Sequence, residues 1–113
     1  MSRQVLTDGS GKWFDDEKSV KFKESIRWDG RNHISAATGS QWEHESLYYT
    51  RSGLWVLNSW SQRQGTAESY TIIDENRAAQ WLVEQNCFDD EELEQLPPNV
   101  KDVIIAAFSQ AEI

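Results

Sequence analysis

Three stretches in the middle of the chain alternate apolar and polar positions with a period of two, which is typical of β-strands. They cover residues 43–50, 54–62 and 68–73 and are joined by short turns at residues 51–53 and 64–65. Strands with such short connections pair antiparallel. The pattern therefore predicts a twisted antiparallel sheet that runs as a meander.

The pairing register follows from the requirement that one face of the sheet be apolar. Pairing Thr50 with Leu54, and Arg63 with Thr66, meets this requirement. The predicted core face then carries Leu47, Tyr49, Trp55, Leu57, Tyr70 and Ile72. The opposite face carries His44, Ser46, Tyr48, Thr50, Val56, Asn58, Trp60, Ser69 and Thr71. This second face is either partly covered by the N-terminal segment or open for a partner. We favour the first alternative, in which the N-terminal segment covers part of this face, because exposed Trp and Tyr side chains rarely occur together on an open sheet face.

The chain before the sheet is predicted to form a hairpin, a short helix, a strand and a loop. Residues 3–7 and 12–14 form the hairpin around a turn at residues 8–11. Residues 16–24 are either a short helix, favoured by acidic residues at the start and lysines near the end, or a strand whose alternation Glu24 interrupts. A strand through Ile26 and Trp28 follows, and residues 29–41 are predicted to be a loop.

Helical periodicity follows the sheet. Asp74 is the predicted N-cap of a helix over residues 75–85, and Asp89 caps a short turn that ends before two prolines. Asn99 is predicted to cap the last helix, with Asp102 in the capping-box position. The chain is therefore predicted to be one α+β domain over residues 1–113, an antiparallel sheet with C-terminal helices packed on one face.

Composition narrows the class of protein. A chain of 113 residues with 38% apolar residues can bury one core. Cys87 is the only cysteine, which excludes an intramolecular disulfide and a cysteine metal cluster. No signal peptide and no apolar run of membrane-spanning length is present, so the expected location is the cytoplasm. No motif for a nucleotide or other cofactor occurs, and none is expected to bind.

The charge is uneven along the chain. The net charge is −8; residues 1–63 carry 9 basic and 8 acidic residues, and residues 64–113 carry 2 basic and 11 acidic residues. Such a chain is repelled by phosphate backbones, which disfavours direct binding of nucleic acid. An acidic surface attracts basic proteins, including those that bind nucleic acids. The densest acidic run comprises Asp89, Asp90, Glu91, Glu92 and Glu94.

The two histidines are candidates for catalysis or metal binding. His33, His44 and a carboxylate such as Asp29 would be enough for a divalent metal ion. Ser40 and His44 could form a nucleophile and base, but four residues along an extended strand separate them by about 13 Å. The spacing is also typical of two hydrogen-bonded structural histidines, and this interpretation is favoured.

Residues 28–84 contain the segments Trp28–Ser35, Thr38–Glu45 and Leu54–Leu57. In these segments the chain resembles a family of small bacterial proteins that has no known activity. The resemblance implies no activity, cofactor or site residue.

The leading hypothesis is a non-enzymatic accessory protein that binds another protein through an acidic surface. The first alternative is a small hydrolase or metal-dependent enzyme that uses His33 and His44. The second is a small-ligand binder with Tyr48 and Trp60 as an aromatic platform and Asn58 as a hydrogen-bonding group. The candidate binding surface also includes the loop residues Arg31 and Asn32. The oligomeric state stays open.

Overall fold

The computed structural model describes residues 3–35, 37–40, 42–62, 67–85 and 90–111. Within these ranges the strands are β1 (Arg3–Val5), β2 (Trp13–Asp15), β3 (Val20–Lys23), β4 (Ile26–Trp28), β5 (His33–Ser35), β6 (Glu43–Tyr49), β7 (Trp55–Ser61) and β8 (Ser69–Ile73). The helices are α1 (Glu75–Gln85), α2 (Asp90–Glu94) and α3 (Pro98–Ala111). Antiparallel sheets followed by helices confirm the predicted α+β class.

The largest sheet has four antiparallel strands in the order β3-β6-β7-β8. Tyr49 pairs with Trp55, so the register predicted for the β6–β7 hairpin is confirmed. The turn is closed by a hydrogen bond from the Thr50 N–H to the Leu54 carbonyl. Gly53 has a φ of 89° there, a backbone conformation that residues with a Cβ rarely adopt.

The register predicted between β7 and β8 is wrong by one residue. Leu57 pairs with Thr71, whereas the prediction placed it opposite Ile72. Because side chains alternate between the faces of a strand, this shift moves Tyr70 and Ile72 to the opposite face. Ile73 takes their place on the core side. The predicted turn at residues 64–65 lies outside the described residues.

The main core lies between one face of this sheet and the helices. Its buried residues come from the sheet and from all three helices: Phe22, Leu47, Trp55, Ala78, Ala79, Trp81, Leu82, Leu93, Leu96, Val100 and Ile104. Trp55 is 4% exposed and packs between the rings of Tyr49 and Phe22, at centroid distances of 4.8 and 6.1 Å. The prediction that Trp55 lies in the core is confirmed. Leu57, predicted with it, is partly buried against the same core.

The other face of the sheet, called here the outer face, is partly covered by the β1–β2 hairpin. Leu6 and Phe14 of this hairpin pack on Tyr48 and Val56, and the partly buried ring of Tyr70 joins them. This arrangement agrees with the favoured interpretation that the N-terminal segment covers part of this face. The part of the outer face around Trp60 and Ser61, at the end of β7, is only partly buried by the described residues.

The segment 16–24 is mostly a strand, so the favoured helix is wrong. The acidic start forms only one 3₁₀ turn, Asp16–Lys18, with Asp15 as its cap, and β3 follows. Pairing of β3 with β6 along the sheet edge outweighs the local helical signals, because it buries Phe22 completely. The predicted loop over residues 29–41 also contains a strand, β5, which pairs with β4.

The helix start at Asp74 is confirmed, since its carboxylate accepts the Arg77 N–H at 2.7 Å. The last helix begins before Asn99, so the predicted cap is wrong. The Pro97 carbonyl accepts the N–H groups of Val100 and Lys101. Pro98 suits the first helical position because it lacks an N–H that would need a partner. None of the described helices is long and apolar enough to cross a lipid bilayer.

Candidate functional site

The part of the outer face around Trp60 and Ser61 holds an open groove of about 390 Å³. It is called here the outer groove, and its lining residues are Lys21, Tyr48, Asn58, Trp60, Ser61, Glu68 and Tyr70. Three of them, Tyr48, Asn58 and Trp60, are the residues for which the sequence suggests an aromatic platform with a hydrogen-bonding group. The structure brings these three together in one concave surface.

The strand register explains why these side chains converge. Tyr48 lies opposite Lys21 of β3, and Asn58 lies opposite Tyr70 of β8. Residues paired across antiparallel strands point to the same face, so four strands each contribute to the outer groove. The Phe14 ring packs 5.2 Å from Tyr48 and 5.7 Å from Tyr70, which places the covering hairpin beside the aromatic part of the groove.

A carboxylate is held in position in the outer groove. Asn58 is 3% exposed, and its side-chain amide donates to Glu68 Oε1 at 3.0 Å and to the Ser69 carbonyl at 3.1 Å. The Tyr70 hydroxyl also hydrogen-bonds to Glu68; burial first, and then this carboxylate, raises the pKa of Tyr70 far above its usual value. The Glu68 carboxylate is therefore oriented in the groove by the Asn58 amide and the Tyr70 hydroxyl.

The basic group of the groove lies on an aromatic ring. Lys21 Nζ is 5.5 Å from the centroid of the Tyr48 ring, a distance typical of a cation–π interaction. The outer groove thus combines aromatic surface with one group of each charge sign.

A second polar cluster lies beside Trp60 and is organised by Glu24. Glu24 Oε1 accepts from His44 Nδ1 at 2.5 Å, and Oε2 accepts from the Ser35 hydroxyl at 2.5 Å and the Glu45 N–H at 2.8 Å. The side chains of His44 and Glu24 are only 11% and 7% exposed. Glu24 therefore joins β5 and β6 at the point where the chain leaves β3.

The Glu24 cluster does not have the geometry of a catalytic triad. In a triad the histidine lies between the carboxylate and the nucleophile, whereas here the carboxylate lies between Ser35 and His44. His44 Nε2 is buried and has no hydrogen-bond partner among the described residues. Ser40, the nucleophile suggested by the sequence, accepts instead from the N–H groups of Trp42 and Glu43.

The two histidines make different contacts. The His44 ring stacks on Trp60 at a centroid distance of 5.6 Å, whereas the exposed His33 ring packs against Trp28 at 5.0 Å. Within the described part of the chain, no group of three or more His, Cys, Asp and Glu side chains could hold a metal ion. A joint site of His33 and His44 receives no support from these contacts.

The remaining candidate residues lie elsewhere. Arg31 and Asn32 are exposed at the β4–β5 turn, where Asp29 Oδ1 accepts both of their N–H groups at 2.8 Å. Of the acidic run, Asp89 lies outside the described residues, and Asp90 and Glu91 are described by their backbone alone. Glu92 is partly buried, and the exposed Glu94 forms an ion pair with Lys101.

Sequence reasoning missed several residues of these two clusters, among them Glu24, Lys21, Glu68 and Tyr70. Glu24 had a visible signal, because it breaks the alternation of β3. Tyr70 was missed because the register error placed it on the core face. Lys21 was missed because it was assigned to a helix. Glu68 lies just before β8, and nothing in the sequence pattern around it indicates a site residue.

Comparison of the chain with protein-family models, with curated proteins and with solved structures found no match in any of the three.

Proposed function

We propose that this protein is a non-enzymatic binding module that holds a small organic ligand in the outer groove. The observation that carries the proposal is the convergence of three aromatic side chains, Tyr48, Trp60 and Tyr70, with an oriented amide and an oriented carboxylate. Small-molecule sites combine apolar and aromatic walls with a few fixed polar groups in volumes of about 300–1,000 Å³.

The walls of the outer groove are fixed before any ligand arrives. Tyr48 and Asn58 are buried, and Tyr70 is held by the Phe14 ring and by Glu68. Pre-positioned groups favour binding because less conformational entropy is lost when the ligand enters. Trp60 is only partly buried, which leaves ring surface available for contact.

The test is a titration of the ¹⁵N-labelled protein with a library of small organic fragments of mixed charge. Binding in the outer groove is expected to shift the Trp60 indole N–H and Asn58 side-chain amide signals. Trp60→Leu should abolish these interactions. Trp28→Leu is the matched control, because Trp28 is 60% exposed and does not line the outer groove. Fragments that bind equally well to the Trp60→Leu protein would contradict the proposal.

A basic protein partner is the second candidate, and the described helical region supports it. Five acidic residues are exposed there: Asp74, Glu75, Glu84, Glu94 and Asp102. Among the described residues from 74 onward, Arg77 is the exposed basic residue and Lys101 is paired with Glu94. The helical side of the molecule therefore presents a negative surface, which would accelerate association with a basic protein.

Combined replacement of the exposed residues Glu75 and Glu84 by Gln and of Asp102 by Asn tests this second candidate. Recovery of basic proteins from a native lysate should fall relative to the wild type, and it should fall further as salt screens the remaining charges. Equal recovery by the two proteins at low salt would contradict it.

A further inference from the structure

The ligand class follows from the position of Glu68 in the outer groove. Its carboxylate is fixed by the Asn58 amide and the Tyr70 hydroxyl, and the Trp60 ring lines the same groove. An oriented carboxylate next to aromatic faces is complementary to an organic cation, because the ring faces carry negative partial charge. A neutral ligand would gain no charge interaction with this carboxylate, and an anionic ligand would be repelled by it.

The aromatic surface of the outer groove already holds one cation of the protein itself. The Lys21 ammonium lies over the Tyr48 ring at 5.5 Å. The rings of Trp60 and Tyr70 line the same groove as Glu68; His44 stacks on Trp60 and Phe14 packs on Tyr70, and no described Lys or Arg lies over either ring. A ligand cation could therefore contact the remaining exposed surface of these partly buried rings, in a groove that also holds the Glu68 carboxylate.

The surrounding charges favour a cation at this end of the groove. The Tyr70 hydroxyl interacts electrostatically with the carboxylates of Glu68 and Asp16, and both make its ionisation harder. Asp16 accepts one hydrogen bond from Gln4 at 3.2 Å, and its other carboxylate oxygen is buried and has no hydrogen-bond partner. Two carboxylates, those of Glu68 and Asp16, thus lie close enough to interact with the Tyr70 hydroxyl, whereas the one basic group of the groove, Lys21, lies over Tyr48.

We infer that the outer groove binds an alkylammonium group, which lies against Trp60 and Tyr70 and faces the Glu68 carboxylate. The inference rests on the proposed small-ligand function and specifies the charge of its ligand. The group could belong to a free small molecule or to a methylated lysine of another protein, because both present the same chemistry.

The probes are choline and its neutral isostere 3,3-dimethylbutan-1-ol, at constant ionic strength set with sodium chloride. Choline should shift the Trp60 indole signal and bind at least about tenfold more tightly than the isostere, since only choline gains the cation–π and carboxylate interactions. Glu68→Gln should weaken choline binding about five- to tenfold and leave isostere binding unchanged. Glu84→Gln, at an exposed position of α1, is the matched control and should bind like the wild type.

The melting temperature of each variant shows whether it is folded, and Trp60→Leu provides a second variant of the site if Glu68→Gln is not. Equal binding of choline and the isostere, or unchanged choline binding by a folded Glu68→Gln protein, would overturn the inference. In that case the proposed function still holds if fragments of other charge bind to the wild type and not to Trp60→Leu. Absence of any fragment binding in the outer groove would overturn both.

A peptide carrying trimethyl-lysine separates the two sources of the group. Tighter binding of the peptide than of choline would assign the alkylammonium to a protein partner, and tighter binding of choline would assign it to a small molecule. Either result supports the inferred chemistry.

Discussion

The Glu24 carboxylate is the acceptor for three hydrogen-bond donors, which makes its removal a direct test of how the sheet and the β4–β5 hairpin are joined. In Glu24→Ala, the His44 Nδ1–H, the Ser35 hydroxyl and the Glu45 N–H lose their acceptor. Each buried donor left without an acceptor costs about 1–3 kcal/mol. Because the outer groove lies close by and water can enter, we expect the lower third of the summed range of about 3–9 kcal/mol, that is about 3–5 kcal/mol.

That loss is large for a domain of this size, whose free energy of unfolding is expected to be about 5–15 kcal/mol. Urea unfolding followed by tryptophan fluorescence measures it directly, and the melting temperature should fall by about 12–20 °C. In Glu24→Gln the amide oxygen can still accept from Ser35 and Glu45, and the amide NH₂ can donate to His44 Nδ1 once the imidazole proton moves to Nε2. The expected cost of that substitution is therefore smaller, about 1–2 kcal/mol.

Glu84→Ala is the control for both substitutions, because Glu84 is exposed on α1 and its loss should change stability by less than about 0.5 kcal/mol. The reasoning is refuted if Glu24→Ala costs no more than this control. It is also refuted if Glu24→Gln and Glu24→Ala cost the same, because the hydrogen-bond count would then not determine the loss.

Three further predictions concern the core, the histidines and pH. Trp55→Ala should cost about 3–5 kcal/mol in urea unfolding, as expected for a buried large aromatic residue, and a cost below 1 kcal/mol would contradict its place in the core. Millimolar zinc should not raise the melting temperature, because His33 and His44 make separate contacts; a rise that either histidine-to-alanine substitution abolishes would show a shared site. The pKa of Tyr70 is raised in the folded state, so the unfolded state loses its proton first and stability should fall as the pH rises above 10. Tyr70→Phe should flatten that fall, measured as urea midpoints between pH 8 and pH 11, and an equally steep fall in the variant would contradict this origin.

The sequence was sufficient for the parts of the fold that depend on local pattern. The β6–β7 hairpin, the helix after Asp74 and the burial of Trp55 follow from alternation, capping and turn residues. The register of β8 could not be fixed in the same way, because Tyr70 and Ile72 make one face apolar while Ile73 favours the other. The choice between these two faces is decided by the tertiary packing of the helices on the sheet, which places Ile73 against the main core.

The candidate site was only partly predictable for the same reason. Tyr48, Asn58 and Trp60 were found because they recur with period two on two neighbouring strands. Lys21 comes from β3, which pairs with β6 across the intervening β4–β5 hairpin, and Tyr70 comes from β8, whose register depends on packing against the helices. Glu24 illustrates a more general point: a charged residue that interrupts the alternation of a strand can be the hydrogen-bond acceptor for groups on the neighbouring strands.

The N-terminal hairpin also protects an edge of the sheet. β8 is an edge strand, and both backbone groups of Tyr70 are occupied by Thr7, which donates from its N–H at 2.9 Å and accepts at its hydroxyl at 3.0 Å. Unpaired edge strands promote aggregation because they offer open backbone groups to the same strand of another molecule. Removal of residues 1–15 would open this edge and uncover Val56 and Tyr48 at the same time. A chain shortened in this way would expose a self-complementary strand edge and should aggregate, although residues 3–15 contribute none of the described buried residues of the main core.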